Sequence, residues 1–206
     1  MGPFISRQLI QRLVISNPSP AYVGRVAAVF NNNGSGVRGD LAAVVRAILL
    51  DTEARNANSL NSYGKLREPV LRVTHWMRAT GATSTSGEFK MAWELTNQGQ
   101  QPLYAPSVFG YYRPGYVPPT SSFAAGGLTA PELQIVNETS TADWVNMAQS
   151  MAGDGLGWTG SARDVVPNLA TQKALAAAGN ITGLVDNLNL LMFAGRMSTD
   201  LRQAER

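Results

Sequence analysis

A chain of 206 residues with 44% hydrophobic and 15% charged side chains has the make-up of a globular protein and is long enough to bury a sizeable core. It contains no Cys, which excludes disulfide-rich scaffolds and thiolate metal sites, and its single His speaks against zinc. Seventeen Lys and Arg face fourteen Asp and Glu, and this +3 charge is spread along the chain without runs, so no nucleic-acid partner is expected.

Phe4, Ile5, Leu9, Leu13 and Val14 recur at helical spacing and predict a first helix that ends at Asn17-Pro18. Arg7, Gln8, Gln11 and Arg12 interrupt that apolar face, so residues 1–12 do not read as a signal peptide. Ser19-Pro20 supplies a cap and a preset first turn for a second helix, with Tyr22, Val23, Val26, Val29 and Phe30 on one face. Asp40 is placed to cap a third, whose stripe is Leu41, Val44, Val45, Ile48 and Leu49. Glu68-Pro69 starts a fourth, with Leu71, Thr74 and Met77 or Trp76 expected inward and Gly81 closing it.

Residues 83–127 change character, interleaving Pro with Tyr and Phe. So many rings are costly to leave in water, so an ordered loop wrapping the helices is expected, with a short helix near residues 90–97. Thr129-x-x-Glu132 has capping-box spacing, and Thr141-Ala142-Asp143 offers another start before Trp144, Val145, Met147, Ala148 and Met151. Residues 153–160 read as a glycine-rich turn. An Ala-rich helix to Ala178, an amphipathic one carrying Leu184, Val185, Leu188, Leu191 and Met192, and a C-terminal turn after Ser198 complete the chain. No alternating strand pattern stands out, so the pattern predicts an all-α fold: one domain, residues 1–206, an irregular bundle of about seven helices with a long Pro/Tyr-rich loop. No stretch reaches the roughly 18 apolar residues that span a bilayer, and no membrane insertion is expected.

Phe4-Ile5-Ser6-Arg7-Gln8-Leu9-Ile10, Ser16-Asn17-Pro18-Ser19-Pro20, Arg25-Val26-Ala27-Ala28-Val29-Phe30 and Arg38-Gly39-Asp40-Leu41 stand in an order that resembles the bacterial family called domain of unknown function 1800. The likeness continues through residues 47–55, Gly64-Lys65-Leu66-Arg67-Glu68-Pro69, Ala105-Pro106-Ser107-Val108-Phe109-Gly110-Tyr111-Tyr112-Arg113-Pro114 and Ala130-Pro131-Glu132-Leu133-Gln134-Ile135. The resemblance implies the C-terminal portion of a longer, often exported protein, with the upstream half or another protein as partner. It implies no reaction.

Ser62-Tyr63-Gly64-Lys65 matches Ser-x-x-Lys, in which one helical turn sets an amine beside a hydroxyl it can activate. A solvated loop is the competing and favoured reading. His75, between Thr74 and Trp76, is the single imidazole that could serve a triad, but no Gly-x-Ser-x-Gly elbow accompanies it. Asp51, Glu53, Glu132, Glu138, Asp154 and Asp164 lack calcium-loop spacing and read as caps and surface pairs. Tyr104, Phe109, Tyr111, Tyr112, Arg113 and Tyr116 could form an aromatic binding platform, although a plug over the helices is favoured. Arg38-Gly39-Asp40 reads as a helix entry, and no phosphate-binding loop or cofactor motif is found. The expectation is a helical scaffold or interaction module without a catalytic site. The alternative is an ester, lactone or amide hydrolase with Ser62 as nucleophile and Lys65 or His75 as base.

Overall fold

The computed structural model describes residues 1–56 and 63–204. In chain order the helices are α1 (Gly2–Leu13), α2 (Pro20–Asn31), α3 (Leu41–Leu50), α4 (Thr52–Arg55), α5 (Pro69–Ala79), α6 (Ala92–Asn97), α7 (Ser122–Ala125), α8 (Glu138–Ala152), α9 (Ala170–Ala177), α10 (Ile181–Phe193) and α11 (Thr199–Ala204). The strands are β1 (Thr83–Ser84), β2 (Leu156–Thr159) and β3 (Ala162–Val166), and a 3-10 helix covers Pro131–Ile135. The fold is therefore mostly helical and not strictly all-α, since a three-stranded antiparallel sheet in the order β1-β3-β2 is present. Eleven α-helices stand among the described residues against the expected bundle of about seven; two of the additional ones, α4 and α7, span a single turn that periodicity cannot register. The chain forms two compact units, Met1–Arg67 with Ala105–Asn137, and Glu68–Tyr104 with Glu138–Arg206.

The first unit is built on α1, α2 and α3 around Ile10, Ile15, Tyr22, Val26, Phe30, Val44 and Ile48. Full burial of an aliphatic or aromatic side chain of this kind stabilises by about 1.5–3 kcal/mol. Helix α1 buries Gly2, Ser6 and Ile10, spaced four apart, and leaves Phe4 and Leu13 exposed, so its inner face is rotated from the expected stripe. Small residues explain the rotation. A Cβ on Gly2 would stand 3.1 Å from Asn31 Oδ1 and 3.5 Å from Ala27 O, so α1 and α2 approach closely only at such positions. Helix α3 similarly buries Val44 and Ile48 but exposes Leu41 and Leu49. The starts are as expected: Ser19 Oγ accepts the Tyr22 N–H at 3.1 Å, and Asp40 Oδ1 accepts that of Ala43 at 3.0 Å.

The second unit packs α5, α6, α8 and the sheet around Val73, Trp76, Met91, Leu95, Met147, Met151, Leu156 and Val165. Helix α5 turns Val73 and Trp76 inward, and Leu71 is exposed, contrary to expectation. Helix α8 starts at Glu138, directly after Asn137, so Thr141 to Asp143 lie inside it. The expected glycine-rich turn is partly a strand: β2 pairs with β3 through Leu156↔Val165, Trp158↔Arg163 and Thr159↔Ala162. Gly160-Ser161 closes this hairpin, with Gly160 at φ +60° as a tight two-residue turn demands. Gly155 is obligatory where it enters, because a Cβ there would lie 2.1 Å from Val165 O.

Candidate functional site

Helix ends leave carbonyls without partners, and at the ends of α1, α3 and α4 side chains supply donors to them. Tyr22 Oη donates to Ile48 O at 2.7 Å in the last turn of α3, and Tyr63 Oη lies 2.9 Å from Glu53 O and 3.1 Å from Ala54 O in α4. At the end of α1 the donor is Lys65, whose Nζ reaches Gln11 O at 3.2 Å and Arg12 O at 3.0 Å. The same ammonium pairs with Glu132 Oε1 at 3.0 Å, with the side chains only 12% and 3% exposed. Three N–H donors thus meet three acceptors. A cation at a helix C-terminus also opposes the negative end of the macrodipole.

Around this pair the turn after α1 is fastened to Thr129. Asn17 Nδ2 donates to Thr129 O and Thr129 N–H donates to Asn17 Oδ1, both at 2.9 Å, which mimics a pair of strand hydrogen bonds. Thr129 Oγ1 donates to Ser16 O at 3.1 Å, and buried Gln11 donates from Nε2 to the same carbonyl at 3.0 Å. Ser16 N–H reaches Gly64 O at 3.1 Å. Beside these bonds lies a cleft of about 510 Å³, walled by Asn17, Tyr63, Lys65, Phe123, Thr129 and Glu132. The expected Thr129/Glu132 capping box does not form: Pro131–Ile135 has no side-chain cap, because both residues are used in the clasp.

A second polar cluster lies beside α2. Arg25 binds Asp51 through Nε at 2.7 Å and Nη2 at 2.8 Å, while Glu53 accepts from Ser19 N–H at 2.9 Å and Ser19 Oγ at 2.6 Å. The Arg25 fork holds the Asp51 carboxyl below its usual range. Burial, with the negative charges of Asp51 and Glu53 behind it, pushes the Tyr22 phenol up to about 12. These groups fasten helix ends to one another.

Of the residues singled out from sequence, Ser62 lies outside the described residues. Lys65 is in the first unit and His75 in the second, where its Nε2 lies 2.7 Å from Leu191 O. The aromatic residues divide as well. Tyr104 belongs to the second unit and is exposed; in the first, Phe109 is exposed, Tyr111 and Tyr116 are half-buried, and Tyr112 is buried beneath Arg12 at 4.5 Å. Arg113 is exposed and is held by its backbone N–H, which donates to Gln134 Oε1 at 2.8 Å. Asp154 is exposed, whereas Asp164 is buried and accepts from Ser86 N–H at 2.8 Å and Ser86 Oγ at 2.7 Å. Those bonds, the backbone one first, hold its carboxyl below the usual range. Among the described residues no group of three or more His, Cys, Asp or Glu is placed to hold a metal ion, and no helix is long and apolar enough to cross a membrane. Sequence reading missed Glu132 as the partner of Lys65 and Asn17 as the partner of Thr129. A Glu beside Pro in a stretch too short for a full helix was the available signal.

The profile of the family described as "Protein of unknown function (DUF1800)" matches residues 1–205. The chain belongs to this family. No curated protein and no solved structure matches the chain. Three segments that carry the DUF1800 resemblance, Ser16-Asn17, Gly64-Lys65-Leu66 and Ala130 to Leu133, meet in the clasped cleft.

Proposed function

We propose that this DUF1800 chain is a non-catalytic helical scaffold or interaction module, and that the Lys65–Glu132 clasp is part of its frame. The observation that carries this reading is the saturation of Lys65: its three donors face Glu132 Oε1, Gln11 O and Arg12 O, which supports a tie rather than a base waiting for a proton. A general base needs a lone pair directed at its nucleophile, and turning Lys65 to that task would strip Glu132 of its partner. Exposed apolar side chains on α1 and α3, among them Phe4 at 65% and Leu41 at 56%, support contact with another protein surface, which in a longer family member includes the upstream half.

The test is hydrolysis of p-nitrophenyl acetate and butyrate by purified protein, beside folded Ser62→Ala and Lys65→Ala variants. Rates equal to buffer are expected for all three. Turnover by the parent that both variants lose would overturn the proposal in favour of a serine hydrolase.

A further inference from the structure

Two of the four tryptophans stand in water, Trp93 at 78% and Trp158 at 63% exposure, although Trp is among the more buried residue types on average. Both belong to the second unit, where Trp93 lines a groove from α6 and Trp158 stacks on Arg163, a residue of the groove's wall on β3, with the guanidinium 4.2 Å from the ring centroid. The groove holds about 170 Å³, and its polar wall includes Glu94, Asn97, Asp143, Asn146 and Arg163. From this arrangement we infer that the groove between α6, α8 and the β2–β3 hairpin is a binding site for a neutral saccharide.

A sugar ring presents an apolar face of C–H groups and a rim of hydroxyls that both donate and accept. Exposed indoles suit the face, because their electron-rich π surface attracts the slightly positive C–H hydrogens and the contact removes apolar area from water. Carboxylates, amides and a guanidinium suit the rim, since between them they accept and donate in several directions. The rim groups are held in place. Glu94 Oε1 accepts the Gly157 N–H at 3.1 Å, Asp143 Oδ2 accepts from Gln98 Nε2 at 2.7 Å, and Arg163 Nη2 reaches Ser150 Oγ at 3.4 Å. Each carboxylate offers about four lone-pair sites, so these single bonds leave acceptor capacity for a ligand. Asp143 and Asn146 lie three apart on α8 and so share one face of it. Two carboxylates against one guanidinium leave the groove net negative, which selects a neutral sugar over a phosphorylated or acidic one. A pocket for a protein hot-spot side chain is fully desolvated, whereas here the apolar Trp93, Met147 and Leu156 share the lining with Glu94, Asn97, Asp143, Asn146 and Arg163. This site is independent of the clasp in the first unit.

The experiment is isothermal titration of the full chain with cellohexaose, chitohexaose and mannohexaose, and with hexagalacturonic acid as the charged counterpart. At least one neutral hexasaccharide should bind, with Trp93→Ala and Trp158→Ala each weakening it about tenfold or more. Asn146→Ala should weaken it less, and hexagalacturonic acid should not bind. Melting curves check that the variants fold, and Asn146→Ala keeps the test decisive should a Trp variant lose structure. Absence of binding to all three neutral sugars, binding of the acidic sugar alone, or affinity unchanged in folded Trp93→Ala would each overturn the inference.

Discussion

Replacing Lys65 with Met removes the charge while keeping an unbranched apolar stem. It leaves the Glu132 carboxylate, 3% exposed, without its cation, and it strips donors from Gln11 O and Arg12 O at the end of α1. Breaking a buried ion pair from one side costs about 3–5 kcal/mol, because the surviving charge stays desolvated. Against a total domain stability of about 5–15 kcal/mol that is a large fraction. Glu132→Gln keeps shape and an acceptor oxygen for the Lys65 ammonium and should cost about 1.5–3 kcal/mol, the range for a hydrogen bond to a charged group. The double variant Lys65→Met/Glu132→Leu removes both charges and should cost at least about 2 kcal/mol less than the sum of Lys65→Met and Glu132→Leu. Urea unfolding at neutral pH reads these values by far-ultraviolet circular dichroism. Tryptophan fluorescence in parallel localises them, since Trp76, Trp93, Trp144 and Trp158 all lie in the second unit. A shift seen first by circular dichroism places the loss in the first unit. A Lys65→Met variant within about 0.5 kcal/mol of the parent, the range of ordinary surface substitutions, would show that the pair is not a buried tie, as would additive single variants.

Gly155→Ala forces a Cβ to within 2.1 Å of Val165 O at a φ of +102°, so the hairpin must shift, and a loss of about 3 kcal/mol or more is expected in a fluorescence-detected melt; an unchanged melt would contradict the close approach. Asp51 titrates below its unfolded value of about 3.9, so the stability its Arg25 fork provides is present above that pH and is lost as pH falls through the lower folded value. Arg25→Gln should flatten that acid limb in urea midpoints taken between pH 2 and pH 5. Tyr22 runs the other way: with its folded pKa raised to about 12, its contribution is whole below the unfolded value of about 10 and is lost as pH rises through 12. Tyr22→Phe should remove the alkaline slope, and a slope that persists would assign it to another group. Asn17→Ala opens both 2.9 Å bonds to Thr129 and should cost about 1–3 kcal/mol by the same urea assay.

Helix positions were largely legible because apolar spacing and caps such as Ser19 and Asp40 act locally. The inner faces were less so. In α1 the buried line runs through Gly2 and Ser6, which carry no hydrophobic signal and are chosen for the room they leave to α2. The sheet escaped because Gly155 and Gly157 broke the alternation of Leu156 and Trp158, although Gly155 is there for its close approach to Val165 O and Gly157 for its positive φ of +65°. Lys65 was singled out through a spacing argument about Ser62, while the side chains it meets, Glu132 and the end of α1, are distant in sequence and leave no periodic trace. Thr129 and Glu132 carried a local signal for a helix cap, and long-range pairing took both residues for another use.

Lys65 ties the end of α1 to Glu132. Amide hydrogen exchange by mass spectrometry, comparing the parent with Lys65→Met, tests it most directly. Faster exchange is expected in peptides covering the C-terminal half of α1 and residues 129–135, with α5 and α8 unchanged. Equal exchange in α1 and in residues 129–135 would contradict it.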